Sequence, residues 1–426
     1  MLDIAILEGI RTPFAKAYGP LASVPAQELG RLATTAVLGR AGLRPDQVDQ
    51  VVFGNVAMPP DAANVARVIA LLSGIPRDRI AHTVQRNCAS GMEAITTAAQ
   101  LIQLGEARTV VAGGVESMSR IPFLYNQEAT DLYLRLGKAK GWRQRLGTLL
   151  RFRPRHFKPV IGVQLGLTDP VCGLIMGDTA ELLARDFGLT RQDQDAFALE
   201  SHRRAVDGQK RGALAEEITP VPSEVAGRAV TEDVGPRKDQ TMEALARLRP
   251  FFQKNGTVTV GNSCSITDGA AAVVVMPGEA VRAEGRRPLG YLRAYAYAGC
   301  DPSRMGLGPV FATSKLLQKT GLSLRDMDLI EMNEAFAAVV LGNEKAFASE
   351  EFARQHLGRD SALGEIDRNR LNVNGGAIAL GHPVGATGTR LVLTLLKELR
   401  RRNLRRGLAT LCVGGGQGAA LLVETE

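Results

Sequence analysis

Cysteine is scarce in this chain. There are five in 426 residues (Cys88, Cys172, Cys264, Cys300 and Cys412), no two form a C-x-x-C pair, and the number is odd. That argues against a disulfide framework or a zinc site and favours a reducing compartment. A chain of this length buries roughly three-quarters of its unfolded surface and needs no such staples. No apolar run approaches the 18 or so residues that span a bilayer. The opening MLDIAILEGIRTPF reads as a buried strand from Ile4 to Ile10, without a basic leader or an Arg/Ser-rich presequence, and LLVETE at the other end is no peroxisomal or lipidation signal. The expectation is a cytoplasmic protein. His82, His156, His202 and His356 lack metal-ligand spacing, and neither Gly113-Gly114 nor Gly414–Gly416 is the G-x-G-x-x-G fingerprint of a dinucleotide site.

Charge is present but uneven. The net charge is +8, yet residues 135–158 alone hold nine Lys/Arg and no Asp or Glu, so the rest is close to neutral. Leu134, Leu136, Trp142 (the single tryptophan), Leu146, Leu149, Leu150, Phe152 and Phe157 interleave with these bases. A nucleic-acid reading needs a recognition motif alongside such charge, and none is found. The stretch fits a surface lying on an anionic membrane, a docking site for a partner subunit, or a solvated face that steers polyanions.

The chain also repeats itself loosely. GLRPDQVDQVVFGNV (42–56) resembles GLSLRDMDLIEMNEA (321–335); each reads as a turn, then a strand delivering Asn55 or Asn333. NCASGMEAITTAAQLIQLGEARTVVAGGVE (87–116) parallels 382–416: a small-residue turn, an amphipathic helix, a loop, a strand and a Gly-Gly end. Ile95, Ala98, Ala99 and Ile102 match Val392, Leu395, Leu396 and Leu399 at helical spacing. A duplicated α/β fold follows. Between the halves, 121–250 reads as an insert. Asp178 and Glu181 make a capping box for a helix through Phe187, and Thr190 caps another through Val206. After a Pro/Gly/Val loop (219–237), Thr257–Val260 should re-enter a sheet, with Ala271–Met276 as its neighbour.

Four positions carry chemistry. Cys88, in Asn-Cys-Ala-Ser-Gly-Met, stands where a helix should begin; the helix N-terminus should lower its pKa, and Ala89, Ser90 and Gly91 should let a substrate approach. A buried structural cysteine is as good an account of that position alone. His382, in Gly-His-Pro-Val-Gly-Ala-Thr-Gly, occupies the matching place in the second half and could take a thiol proton. Cys412 ends a strand before Gly414-Gly415-Gly416, where free N–H groups could hold an oxyanion. Asn333-Glu334 ends the strand Asp328–Met332, as a site or as a simple strand-end cap.

Together these segments resemble the thiolase family. NCASGMEAI, GGVESMS, NEAFA, GHPVGATG and CVGGGQG match its motifs in order, with Arg11-Thr12-Pro13 near the start and Met305-Gly306-Leu307-Gly308-Pro309 later, over about residues 3–424. The resemblance implies duplicated βαβαβαββ halves in a five-layer αβαβα arrangement: an N-terminal half (1–120, completed by 251–283), a loop domain covering CoA (121–250, with the basic insert 131–158) and a C-terminal half (284–426). It implies Cys88 as the acylated nucleophile, His382 as its base and Cys412 as the acid/base at the α-carbon. Asn333, through a water, and His382 would polarise one thioester oxygen, and the N–H groups of Cys88 and Gly414 would hold the other. CoA, a co-substrate, would meet Met176, Ser263, Cys264, Ser265, Met305, Ala335 and Phe336. No metal or permanently bound cofactor is implied.

The implied reaction is thiolytic cleavage of 3-ketoacyl-CoA in β-oxidation, by a homodimer or homotetramer; the alternative is condensation of two acetyl-CoA to acetoacetyl-CoA. Within the family the chain most resembles the β subunit of trifunctional fatty-acid oxidation complexes, through 131–158, NSCSITDGAAA (262–272) and the C-terminal half, which would bring a hydratase/dehydrogenase α subunit as partner. It departs from that subgroup at Asn333, where His is frequent, and at Cys264, where the family often has Ser. A ketoacyl-synthase-like enzyme would want two histidines near the cysteine, and a non-enzymatic lipid carrier on this fold would be expected to lose the Cys–His–Cys set.

Overall fold

Strand β1 (Ile4–Arg11) is buried along nearly all its length and lies at the middle of one long mixed sheet. The computed structural model describes residues 1–426. The other strands are β2 (Gln50–Gly54), β3 (Ile80–Val84), β4 (Val110–Ser117), β5 (Thr267–Pro277), β6 (Gly290–Gly299), β7 (Leu329–Met332), β8 (Arg406–Val413) and β9 (Gln417–Glu424). The sheet order is β7-β8-β9-β6-β1-β5-β4-β2-β3.

That order is one pattern written twice. On one side β1 pairs antiparallel with β5, β5 antiparallel with β4, and β4 parallel with β2, which is parallel to β3. On the other, β6 pairs antiparallel with β9, β9 antiparallel with β8, and β8 parallel with β7. A parallel bridge from Ile330 to Leu371 stands where the counterpart of β3 would run. Three residue pairs, Ile4–Leu292 to Ile6–Gly290, join the halves.

Alternation along the strands sorts side chains into three apolar layers, as period-2 patterning requires. Helices α1 (Ala26–Ala41) and α2 (Val65–Leu72) cover one outer face, meeting Ala272, Val274 and Met276. Val273 and Val275, from the same strand, face inward onto α3 (Ser90–Gln103). The inner layer also holds Leu391, Leu395 and Leu399 of α10 (Val384–Arg401) and Ala419 and Leu421 of β9. The far outer layer packs α8 (Gly308–Thr320) and α9 (Ala337–Ala348) against Leu408, Ala420 and Leu422. The result is five layers, αβαβα.

The insert begins with a two-residue ribbon, Phe123–Leu124 against Val160–Ile161, which closes off α4 (Gln127–Lys138) and α5 (Trp142–Leu149). Two further helices follow, α6 (Met176–Asp186) and the longer α7 (Arg191–Lys210). They pack on α9 and on Pro302–Leu307, so the insert leans on the C-terminal half. Buried Arg11 pins the later loop, with Asp233 at 2.6 and 2.7 Å and Glu217 at 2.7 Å.

Three local expectations fail. Thr257–Val260 is no strand. The Asp178–Glu181 capping box does not form, because α6 starts earlier, at Met176, and its N-cap Ile175 has no side-chain bond to give. Glu181 instead accepts from the backbone N–H of Thr257 and Val258, so one carboxylate satisfies donors that a sheet would otherwise have paired. Thr190 does cap α7, in a box with Asp193, but the helix runs on to Lys210 rather than stopping at Val206.

Candidate active site

The two halves deliver Cys88 and His382 to one place through glycine. A Cβ on Gly91 would lie 2.6 Å from the backbone N of Thr389, and one on Gly388 would lie 2.5 Å from that of Met92. Thr389 Oγ1 donates to Gly91 O at 3.1 Å. Only glycine lets α3 and α10 meet so closely, and the catalytic candidates lie just before each helix. This corrects the expected use of the small residues after Cys88: Ala89, Ser90 and Gly91 are buried, and Gly91 serves helix packing rather than substrate approach.

Cys88 sits on a strained turn. Asn87 has φ of +44°, a left-handed conformation for a non-glycine residue. Hydrogen bonds hold it: Asn87 Nδ2 donates to Gly414 O at 2.8 Å, and Ser90 Oγ donates to Asn87 O at 2.7 Å. Asn87 is therefore a structural member of the site that sequence reading passed over.

The thiol does not behave as the helix-start argument expected. Burial raises the Cys88 pKa, outweighing the N–H groups of Gly414 and of Cys88 itself, which lower it; Glu116 adds to the rise. A helix N-terminus is worth up to about 2 kcal/mol, whereas full desolvation moves a pKa by up to about 3–5 units, each about 1.4 kcal/mol. The resting nucleophile is a thiol and needs a base beside it.

His382 is equipped to be that base. Its N–H is fixed by Ser265 O at 3.3 Å and Thr267 Oγ1 at 3.1 Å. Its Nδ1 lies 2.6 Å from Thr387 Oγ1, whose own hydrogen goes to Pro383 O at 3.0 Å. The hydroxyl hydrogen being used, Nδ1–H donates to Thr387, and Nε2 is left with a free lone pair; this tautomer is assigned from the network. Nε2 is buried and has no partner. Burial, helped by Arg390, lowers the pKa to about 3, so the imidazole is neutral.

Asn333 follows β7 and is fully buried, yet neither Oδ1 nor Nδ2 has a partner. It does not act as a strand-end cap; Glu334 beside it does the structural work, accepting from Ser201 Oγ, Asn372 Nδ2 and Ile378 N. Burial raises the pKa of Cys412 well above the usual thiol value, and the nearby sulfurs of Cys88 and Cys264 raise it further. Cys264 is pushed up to about 12, first by burial and then by Cys88. Both are protonated at neutral pH.

Segment 263–267 links these parts. Cys264 N donates to Ala335 O at 3.0 Å, and Ser263 forms a bridge with Phe336. The Ser263 hydroxyl is spent on Thr259 O at 2.6 Å, and that of Ser265 faces Thr267. Met176 lies beside Gly414, where a Cβ would come 3.6 Å from its sulfur. Met305 and Phe336 are buried in the far apolar layer, with Phe252 edge-on to Phe336.

Glu116, at the end of β4, was also missed. It accepts from Asn55 Nδ2, Val56 N, Ala57 N and Gly385 N, tying the loop after β2 to the first turn of α10. Its acidic side chain at a strand end, in GGVES, was the available signal. Burial raises its pKa to about 7.

The site thus combines a nucleophile with N–H groups aimed at it, a neutral base, an unpaired amide and a protonated thiol. Comparison with known proteins agrees in kind. Residues 4–279 match the family described as thiolase, N-terminal domain, and residues 286–425 the thiolase C-terminal domain. A 3-ketoacyl-CoA thiolase of Yersinia enterocolitica is 43% identical over 425 residues, 99% of this chain and 97% of that protein. The acetyl-CoA acetyltransferase of Bacillus anthracis superposes with a TM-score of 0.87 at 38% identity, covering 100% of this chain and 99% of the other. Human mitochondrial 3-ketoacyl-CoA thiolase in complex with CoA gives 0.86 at 35% identity, covering 99% and 98%. The chain belongs to the thiolase family, and it is an acyltransferase.

Proposed function

We propose that this enzyme cleaves 3-ketoacyl-CoA with free CoA, yielding acetyl-CoA and a shortened acyl-CoA, in fatty-acid β-oxidation. The observation that carries the reading is the pair of unpartnered buried groups, His382 Nε2 and the Asn333 amide, in a site that also holds two high-pKa thiols. Buried polar atoms left unpaired are uncommon and costly, and both are of the kind that a thioester oxygen or a water on it would satisfy.

The steps follow from the groups. His382 Nε2 takes the Cys88 proton as the sulfur attacks the keto carbon. The N–H groups of Cys88 and Gly414 hold the oxyanion. The bond between the α- and keto carbons breaks, and its electron pair goes to the α-carbon. The imidazolium and an Asn333-bound water polarise the thioester oxygen of the departing acetyl-CoA, and Cys412 gives the α-carbon its proton. CoA thiol then attacks the acyl-Cys88 and its proton restores Cys412; the bond from the acyl carbon to the Cys88 sulfur breaks, and the leaving thiolate takes back its proton from the His382 imidazolium. Nothing is oxidised or reduced.

In this reading 121–250 is the loop domain over CoA, flanked by thiolase halves 1–120 (with 251–283) and 284–426, and the contacts to CoA come from Met176, Ser263, Cys264, Ser265, Met305, Ala335 and Phe336. Strand β3 is the open sheet edge nearest Cys88, with Ile80 61% exposed; pairing of two such edges would make the homodimer. A cytoplasmic location and a hydratase/dehydrogenase partner belong to the same proposal. Thiolysis of 3-ketoacyl-CoA substrates of increasing chain length, with and without CoA, tests the reaction. Turnover of acetoacetyl-CoA alone, with none of longer substrates, would favour the biosynthetic condensation instead.

A further inference from the structure

The Asn333 amide has no bond of its own to fix it, so its aim is set by the backbone on either side. His382, by contrast, is held directly by Ser265 O, Thr267 Oγ1 and Thr387 Oγ1.

Both flanks of Asn333 are tied to one residue. Asn372 Oδ1 accepts from Met332 N at 2.9 Å, and Asn372 Nδ2 donates to Met332 O and to Glu334 Oε1, each at 2.9 Å. Asn372 is itself left-handed, with φ of +46°, a conformation that asparagine tolerates better than most residues.

Glu334 gathers two further donors on its other oxygen. Ser201 Oγ, in the middle of α7, donates to Oε2 at 2.6 Å, and Ile378 N, four residues before His382, donates to the same atom at 3.2 Å. Gly376 N donates to Ser201 Oγ at 3.2 Å, which leaves the serine hydrogen for Glu334. A Cβ on Gly376 would lie 2.2 Å from the Glu334 carboxyl carbon, so the loop comes this near only as glycine. Ser201, Glu334 and Asn372 are all buried.

Every group that bonds Glu334 is a donor, the pattern that suits a carboxylate. A buried carboxylate is expensive to desolvate, and a neutral side chain could cap a strand end. What the ionised one adds is grip, since charged hydrogen bonds are about twice as strong as neutral ones. That grip falls on the residue next to an amide that nothing else restrains.

We infer that Glu334, Asn372 and Ser201 are positioning residues that fix the Asn333 amide against His382, and that Ser201 makes α7 of the insert part of this fixation; this rests on the role given to Asn333 above. The segment that covers CoA in that reading also holds the amide at which the thioester is polarised. Asn333 serves the departure of acetyl-CoA, whereas transfer of a simple acyl group from CoA to Cys88 uses His382 and the N–H groups of Cys88 and Gly414. Loosening the amide slows thiolysis and spares acylation.

The test places Ser201→Ala and Glu334→Gln in the wild type and in Asn333→Ala. The first removes one donor and keeps the carboxylate; the second keeps the shape and removes the charge. Each should lower kcat for thiolysis of a 3-ketoacyl-CoA about tenfold or more, while acylation of Cys88 from an acyl-CoA donor and KM for CoA change less than about twofold. In the Asn333→Ala background the same substitutions should cost less than about twofold, because no amide is left to aim. Equal proportional losses in the two backgrounds, or acylation and thiolysis falling together, overturn the inference, since a merely structural cap would behave in that way. Undiminished thiolysis in Ser201→Ala overturns it as well. Should Glu334→Gln fail to fold, Ser201→Ala carries both comparisons alone. An Asn333→Ala enzyme as active as the wild type would refute the role of Asn333 itself, and the inference with it.

Discussion

Asn55 and Asn333 hold the same place in the two halves, each the first residue past its strand, β2 or β7, and their amides have opposite fates. Asn55 Nδ2 donates to Val115 O and to Glu116, both at 3.0 Å. Asn333 Nδ2 and Oδ1 are buried and unpaired. Duplication supplied one asparagine for the frame and one for the site.

The pair gives a matched test. Asn55→Ala strips donors from Val115 O and from Glu116 and should cost about 1–3 kcal/mol of stability. Asn333→Ala removes atoms that bond to nothing and should leave stability unchanged or improved, while thiolysis falls about 100-fold. Urea denaturation beside steady-state thiolysis reads both. Equal stability losses would mean that Asn333 has a structural partner.

Cys88→Ser should retain the fold and lose essentially all turnover. Mass spectrometry of the wild type with 3-ketoacyl-CoA and no free CoA should find the acyl group on the peptide bearing Cys88. An adduct confined to Cys264 or Cys412 would move the nucleophile.

Cys412→Ser should still take up the acyl group at Cys88 from an acyl-CoA donor but carry out thiolysis about 10²–10⁴-fold more slowly. The serine hydroxyl is a poorer acid at carbon than the thiol it replaces. Rapid-quench acylation separates the two effects; near-normal thiolysis would remove Cys412 from proton transfer.

His382 makes stability depend on pH in a predictable direction. The folded protein holds it near 3, against 6.5 ordinarily. The unfolded chain therefore binds a proton that the folded one refuses. The stability tied to the neutral ring is present above about pH 6.5 and is lost as pH falls toward 3. Between pH 7.5 and 5, His382→Gln should lose about 2 kcal/mol less than wild type. His202, lowered to about 4 by burial, acts in the same direction in both proteins and cancels. Parallel loss in the two proteins would show that the imidazole is not buried neutral.

Much of the architecture was legible because it is local and periodic. The spacing of Ile95, Ala98, Ala99 and Ile102 needs only a helix with one buried side, and all four are buried in α3. The repeat of 87–116 in 382–416 announced the twofold plan, since similar sequences fold into similar units. Thr257–Val260 was misread because its β-branched run says nothing of Glu181, which arrives from another helix and takes the same backbone donors.

The sequence by itself determined which residue types were on offer: one cysteine and one histidine before matched helices, an asparagine after each matched strand, and a second cysteine before a glycine run. Tertiary structure decided their state. Whether a thiol ionises, or an asparagine finds a partner, depends on solvent and on groups hundreds of positions away. Desolvation, which no motif records, outweighs the helix terminus at Cys88 and keeps His382 neutral. Packing across the glycines of α3 and α10 puts those two residues together, because backbone contact between two helices is set by the folded assembly and not by either segment alone.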